Sequence, residues 1–269
     1  MPSSQISADN APGTWYLPGT YQVPKRRVGD DHFIVDTDFG VIYEDEDLLV
    51  LEKPAPLAVH PVGAYAQLNL HSLLKKDPRW IDSSIRFMHR LDAETSGVLC
   101  AAKTEQAARF IGKEFLSGRV EKTYQALVFG VPKRSEGEIT IRLGHDKSSG
   151  FQTVRVPDEN GQEAVTRYRV LSSHGDYSWL EICPLTGRTH QIRAHLSFIG
   201  HPIVGDKIYI DLNIFREYVL GGLNADMLKK LVLPRLALHA VGLSLRHPVT
   251  NETAEFCSKA PDFLGAIAA

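Results

Sequence analysis

The sequence has 269 residues, of which 43% are hydrophobic and 23% charged, enough for a large domain with its own core. No stretch approaches the roughly 20 apolar residues of a membrane span, and the first ten residues lack the basic and apolar segments of a signal or transit peptide. We therefore expect a cytoplasmic protein. The formal net charge is −2, so a nucleic-acid partner would need positive charge concentrated on one surface.

The N-terminal third predicts an arm followed by the first ordered elements. Residues 1–40 are rich in Pro, Gly, Asp and Ser, which indicates an extended arm with at most one short strand. The apolar run at 41–54 predicts a strand that ends at Pro54. Residues 66–76 predict a short helix.

The middle of the chain alternates between strand and helix patterns. Residues 97–103 predict a buried strand, and Thr104 is a suitable N-cap for a helix with Ala108, Ile111 and Phe115 on one face. We expect a long strand at 120–132, and several shorter strands follow, at 137–143, 151–156, 163–171 and 178–183.

Residues 189–200 predict a second helix, and residues 235–248 predict a last strand. On a helical wheel, the apolar Ile192 and Leu196 fall on one side and Arg193 on another. Many strands with few helices between them predict an α+β protein around a mixed, mostly antiparallel sheet.

Four segments carry polar residues where a core-forming pattern would otherwise continue. They are KPAPLAVHP at 53–61, HRLDAETSGVLCAAKT at 89–104, EKTYQALV at 121–128 and PLTGRTHQIRAHLSFIGHPIVGDKIY at 184–209. In wording and order these segments resemble the RluA family of RNA pseudouridine synthases. The resemblance covers about residues 41–248.

The resemblance implies a catalytic domain over residues 41–269 whose sheet is split by a catalytic cleft. It also implies an isomerase that converts specific uridines of structured ribosomal or transfer RNA to pseudouridine, without a cofactor. Many relatives carry an N-terminal S4 RNA-binding module. We expect none here, because the 40 residues before the first motif are too few and too rich in proline.

Asp92, in the HRLD string, matches the catalytic aspartate of the family. It falls between a strand-like segment and a turn, so its carboxylate can point out of the end of a sheet. Such a carboxylate could add to the base or act at the sugar, and the sequence does not choose between these routes. Outside this motif, an aspartate that caps a turn through the amides of Thr95 or Ser96 would be the simpler interpretation.

Two further residues complete the catalytic set that the resemblance implies. Arg193 corresponds to the basic residue that lies against the aspartate, and a guanidinium there would keep a buried carboxylate ionised. Tyr124 corresponds to the tyrosine that packs on the target base, where its hydroxyl can join proton transfer. An exposed helical arginine and a core tyrosine are the alternatives.

A second set of residues lies within or beside the same motifs and predicts contacts to RNA. Arg90 follows His89 and could contact the backbone or wedge into the space of the flipped base. Lys103, Lys122 and Lys207 would add positive charge if the motifs converge. The predicted substrate-binding residues are Arg90, His89, Lys53, Arg188, Thr95 and His190.

Two other functions compete with this interpretation. A histidine-based metal enzyme is disfavoured because His190 and His195 are five residues apart and so lie on different helix faces; we expect no metal. A catalytically inactive RNA-binding protein with the same fold would not need an aspartate, a tyrosine and an arginine together. A monomer is the default expectation for the oligomeric state.

Overall fold

A computed structural model of the protein describes residues 20–24 and 32–268. The strands are β1 (Thr20–Pro24), β2 (His32–Asp36), β3 (Gly40–Glu44), β4 (Leu48–Lys53), β5 (Arg86–Phe87), β6 (Ser96–Ala102), β7 (Glu121–Phe129), β8 (Glu136–Thr140), β9 (Leu143–His145), β10 (Arg155–Pro157), β11 (Val165–His174), β12 (Tyr177–Pro184), β13 (Leu238–Arg246) and β14 (Thr253–Cys257). The helices are α1 (Leu70–Leu74), α2 (Glu105–Leu116), α3 (Gln191–Phe198), α4 (Leu212–Gly221), α5 (Ala225–Leu231) and α6 (Gly265–Ala268).

Ten strands form the central sheet in the order β3-β4-β6-β13-β7-β12-β11-β8, with β14 paired to β13 and β5 to β6. Among the described strands, β6 and β13 make the one parallel pairing; the others are antiparallel. This confirms the predicted α+β class with a mixed, mostly antiparallel sheet.

The two halves of the sheet meet at a short joint between β6 and β13. Its parallel register contains only two pairs, His239 with Ser96 and Ala240 with Gly97. Gly97 has a φ of +113°, and a Cβ there would lie 2.2 Å from the carbonyl oxygen of Ala240. Only glycine therefore permits this approach of the two backbones. The joint lies directly after the segment that carries Asp92.

The prediction of one strand over residues 41–54 was wrong, because this segment is the hairpin of β3 and β4. Asp45 makes the turn: its Oδ1 accepts the backbone N–H groups of Asp47 at 2.8 Å and Leu48 at 2.7 Å. A carboxylate that satisfies the amides two and three residues later is a common turn-forming device.

Helix α2 begins and packs as its sequence predicts. The hydroxyl oxygen of Thr104 accepts the backbone N–H of Ala107 at 3.1 Å, which caps the first turn. Ala107 and Ile111 are fully buried against β4, β6 and β13 in one apolar cluster. A larger cluster includes residues of β4, β6, β7, β12 and α3 and contains most of the core.

The sequence patterns did not predict α4, α5, α6 and β14. Helices α4 and α5 share a small apolar cluster of their own, formed by Ile214, Met227 and Leu231. Among the described residues no helix is both long and apolar enough to cross a membrane.

Much of the predicted arm at 1–40 lies outside the described residues. Of the part that is described, β1 and β2 pair antiparallel. Val35 is fully buried in the larger apolar cluster, and the backbone N–H of Asp36 donates to the carbonyl of Pro56 at 3.1 Å. The division into an arm and a catalytic domain at residue 40 stays a prediction.

We expect Ile111→Ala to lower the free energy of unfolding by about 2–5 kcal/mol, because it leaves a cavity beneath α2. The matched control is Leu116→Ala on the same helix, whose side chain is 91% exposed; its effect should stay within about 0.5 kcal/mol. Urea denaturation followed by circular dichroism measures both. Equal losses for the two variants would contradict the packing described for α2.

Candidate active site

Asp92 lies in the turn that connects β5 to β6. The carbonyl of Asp92 accepts the backbone N–H of Thr95 at 3.0 Å, and the carbonyl of Ala93 accepts that of Leu57 at 2.8 Å. Residues 53–57, the KPAPL segment, are therefore hydrogen-bonded to this turn. The side chain of Asp92 is 22% exposed, so its carboxylate is only partly accessible.

Arg193 links this carboxylate to a second one. Its NH1 group donates to Asp92 Oδ2 at 2.9 Å, and its Nε and NH2 groups donate to the two oxygens of Asp206 at 2.7 and 2.8 Å. The side chains are 9% exposed for Arg193 and 0% for Asp206. A bidentate pair of this kind fixes the plane of the guanidinium.

Asp206 is the functional residue that the sequence interpretation missed. Its Oδ1 also accepts the backbone N–H groups of Ile208 at 2.9 Å and Tyr209 at 3.0 Å. The aspartate is therefore held by the chain around it and in turn holds Arg193. The signal was present in the GHPIVGD string, which ends in this residue.

The environment of Asp92 keeps its carboxylate ionised. Burial alone would raise its pKa, but the nearby His190, Arg193 and Arg90 outweigh burial and lower the pKa to about 2. Burial and the charge of Arg193 lower the pKa of His190 to about 4, so this imidazole is neutral at neutral pH. The cation that stabilises Asp92 under those conditions is therefore the guanidinium.

Tyr124 lies in β7, where it pairs with Ala240 of β13 on one side and Ile182 of β12 on the other. Its side chain is buried but lines the same cavity as Asp92 and Arg193. Burial, and then the negative charge of Asp92, raise the pKa of the phenol above its usual value. The hydroxyl therefore stays protonated at neutral pH.

The cavity has a volume of about 400 Å³, within the range of small-molecule sites. Its lining comes from the HRLD segment, the C-terminal end of α2, the first half of β7, the loop after β12, α3 and the start of β13. The structure thus brings together Asp92, Tyr124 and Arg193, which are distant along the chain.

The rim of this cavity is basic. Arg90 and Arg188 are exposed, Lys122 is half-buried, and all three line the cavity. The Arg188 Nε group donates to the carbonyl of Glu163 at 2.9 Å, and Lys122 Nζ donates to that of Thr186 at 3.3 Å. Neither bond neutralises a charge, so both groups remain available to an anion.

The predicted residues His89, Thr95 and His190 also line the cavity. His89 Nε2 accepts the backbone N–H of Cys100 at 3.1 Å, and burial lowers its pKa to about 3. His190 precedes α3 with a φ of +55°, an uncommon conformation for a residue with a side chain. Its Nε2 lies 3.8 Å from Asp92 Oδ2, so it closes one side of the site.

The prediction that Lys53 contacts RNA is contradicted by its burial. Its side chain is 0% exposed, and its ammonium donates to the carbonyls of Pro54 and Leu57 at 2.7 Å and Ala93 at 3.3 Å. Burial lowers its pKa. Lys53 supports the turn of Asp92 from inside the protein.

Two other lysines do not join the basic rim. Lys207 is buried and donates to Glu94 at 2.6 and 2.9 Å. Lys103 follows the far end of β6 and pairs with Glu44 at 2.8 Å. A strand of seven residues separates it from the turn of Asp92, which is roughly 20 Å.

Helix α3 is buried on more sides than its pattern predicts. Residues 191–196 are all buried, including Arg193 and His195. His195 approaches Thr166 Oγ1 at 2.9 Å and the carbonyl of Ile141 at 3.0 Å. Within the described part of the chain, no group of His, Cys, Asp and Glu is arranged to hold a metal ion.

Comparison with known proteins places this geometry in a family. The model of the family described as RNA pseudouridylate synthase matches residues 47–198. This stretch contains Asp92, Tyr124 and Arg193. The chain therefore belongs to the RNA pseudouridylate synthase family, whose members are isomerases, and its relatives lie in the RluA group that the motifs resemble.

Three curated relatives illustrate the match. An uncharacterized RNA pseudouridine synthase of Synechocystis sp. is 37% identical over 79% of this chain and 62% of the relative. One of Chlorobaculum parvum is 34% identical, over 84% of this chain and 72% of the relative. The ribosomal large subunit pseudouridine synthase D of Zymomonas mobilis is 32% identical over 84% and 70%, respectively. The chain thus spans about two thirds of these proteins.

Two solved structures share the fold. Human RNA pseudouridylate synthase domain containing 1 superposes with a TM-score of 0.66 at 29% identity, covering 85% of this chain and 86% of that one. Human RNA pseudouridylate synthase domain containing 4 gives a TM-score of 0.65 at 32% identity, over 85% and 91% of the two chains.

We expect Arg193→Met to lower the free energy of unfolding by about 3–5 kcal/mol at neutral pH, because it leaves Asp206 buried without a counter-charge. The wild-type carboxylates have lowered pKa values, so their stabilisation is present above pH about 4 and is lost as the pH falls through those lowered values. The difference between the two proteins should therefore shrink below pH about 4.

The matched control for this variant is Arg142→Met, which removes the exposed pair of Arg142 and Glu163. It should cost no more than about 1 kcal/mol. Thermal or urea unfolding at several pH values measures both variants. A loss for Arg193→Met that is the same at acid and neutral pH would argue against a charge-based role.

Proposed function

We propose that this protein is an RNA pseudouridine synthase that isomerises specific uridines of structured RNA, with Asp92 as the nucleophile. The observation that carries the proposal is the hydrogen bond by which Arg193 holds the carboxylate of Asp92, in a cavity that Tyr124 also lines and whose rim is basic. An inactive RNA-binding protein would not need a carboxylate, which repels phosphate, at this position.

The reaction rearranges bonds without a change of oxidation state. The bond between C1′ of the ribose and N1 of the base breaks, and a bond between C1′ and C5 forms; C5 loses a proton and N1 gains one. Asp92 can add to the base or to the sugar while the base rotates. Its low pKa keeps it ionised for either route. No electrons are transferred, so we expect no cofactor.

Arg193 and Tyr124 have different roles in this proposal. Arg193 orients Asp92, because its own orientation is set by Asp206. Tyr124 supports the uracil ring by packing, and its neutral hydroxyl can relay the proton that leaves C5, accepting it at the oxygen while its own O–H proton passes to water. These assignments rest on the shared cavity of the three residues and on the resemblance of their motifs to those of the family.

The target uridine must leave its stack to enter such a cavity, which costs a few kcal/mol for a paired base. Loops and bulges are therefore the favoured targets. Relatives named ribosomal large subunit pseudouridine synthases C and D make ribosomal RNA the first substrate to test, with transfer RNA as the alternative. Arg90, Lys122 and Arg188 would meet the phosphates, which explains how a chain of net charge −2 can bind RNA.

A cytoplasmic location and a monomeric state belong to the same proposal. They rest on composition and on the default for a chain of this length.

We expect the wild-type protein to release tritium from an unmodified large-subunit ribosomal RNA transcript that is labelled at C5 of uridine, and Asp92→Ala to release none. Asp226→Asn, which alters a carboxylate that is 87% exposed on α5, is the matched control and should keep full activity. Labelled transfer RNA transcripts form the second arm. Binding of both RNAs without tritium release by the wild-type protein would support the inactive RNA-binding alternative.

We expect kcat/KM to show no acid limb due to Asp92 or His190 between about pH 5 and pH 7. The pKa of Asp92 is about 2 and that of His190 about 4, so Asp92 stays charged and His190 neutral across this range. Tritium release at constant ionic strength measures the profile, with circular dichroism to verify folding at each pH. A limb centred near the ordinary histidine value would contradict a neutral His190.

A further inference from the structure

Two exposed leucines stand at the rim of the proposed catalytic cavity. Leu116 is the last residue of α2 and is 91% exposed; Leu185 directly follows β12 and is 47% exposed. Both line the cavity that contains Asp92. Single exposed leucines are common on protein surfaces, but these two flank a polar site to which neither contributes a polar group.

Ordered backbone holds both leucines in place. After Leu116 the helix ends with bonds from the Ser117 N–H to the Lys113 carbonyl at 2.9 Å and from the Gly118 N–H to the Phe115 carbonyl at 3.2 Å. The N–H of Leu185 donates to the carbonyl of Val165 at 2.9 Å. The two side chains are therefore presented by rigid elements at the edge of the cavity.

The chemistry around the leucines indicates what covers them. Arg90, Lys122 and Arg188 line the same cavity and are suited to phosphates. RNA, the ligand of the proposed function, brings phosphates to such cations, and the flat faces of its bases offer an apolar surface to the leucines. The partner that satisfies both kinds of group is RNA.

We propose that Leu116 and Leu185 pack against the bases next to the extruded uridine. The proposal rests on the proposed function and deepens it by assigning base contacts to two residues that have no part in the chemistry. Apolar side chains that insert beside unstacked bases act in this way in other nucleic-acid complexes. Arg188 then contacts the phosphate backbone.

The test compares Leu116→Ala, Leu185→Ala and the double variant with Leu220→Ala. Leu220 is 60% exposed on α4 and does not line the cavity, so it is a matched control. With the labelled large-subunit ribosomal RNA transcript, the double variant should lower kcat/KM for tritium release by about tenfold or more, and Leu220→Ala should leave it unchanged. Replacement of both leucines by Met, which keeps an apolar contact, should restore most of the activity.

The salt dependence of binding separates base contacts from charge contacts. Filter binding of the same transcript at several salt concentrations should give the leucine variants a weaker affinity with an unchanged slope of log K against log salt. Arg188→Ala should instead reduce the slope by about one. Leucine variants that match Leu220→Ala in both assays would overturn the proposal.

Two other results would separate a failure of the proposed activity from a failure of the proposal on the leucines. If the wild-type protein binds the transcript but releases no tritium, the proposed activity fails, while the binding arm still decides on the leucines. If the leucine variants lose only self-association in sedimentation experiments and bind RNA normally, the surface is a contact between copies of the chain and the proposal is wrong.

Discussion

The guanidinium of Arg193 between two carboxylates is the interaction on which the site depends. It bonds to Asp92 on one side and to Asp206 on the other. Burial opposes ionisation of both acids, and the fixed charge of Arg193 offsets that effect. Because Asp206 is also bound by the backbone that follows it, the orientation of Arg193 is set before any substrate arrives. Asp92 is thus held in a fixed orientation in a cavity where its side chain is only partly exposed.

The architecture of the sheet explains why the cavity forms beside Asp92. The two halves of the sheet touch through only two residue pairs, and Gly97 allows the contact because it has no side chain. Ser96 reinforces the joint through a 2.8 Å contact between its Oγ and Nδ1 of His239. The turn of Asp92 enters the sheet at this joint, and Tyr124 lies on the strand beyond β13.

The charge distribution separates lysines that build the site from cations that can meet RNA. Lys53 and Lys207 belong to the motif segments, yet both are buried and hydrogen-bonded beside the turn of Asp92. Arg90, Lys122 and Arg188 remain at the rim. Under the proposed function, these three cations would meet the RNA phosphates although the net charge of the protein is −2.

Local patterns alone determined a large part of this protein. Thr104 predicted the start of α2, alternation predicted most of the central strands, and the motifs singled out Asp92, Tyr124 and Arg193. The hairpin at Asp45 and the helices after residue 211 were missed, because an aspartate turn and marginal helices leave only weak local signals.

Tertiary structure alone decided which motif lysines are buried, since burial depends on neighbours that are distant along the chain. It also revealed Asp206 as the second partner of Arg193, a contact that no spacing rule contains. The sequence specified which chemical groups are present, and the packing of α3 against the turn of Asp92 decided which of them meet.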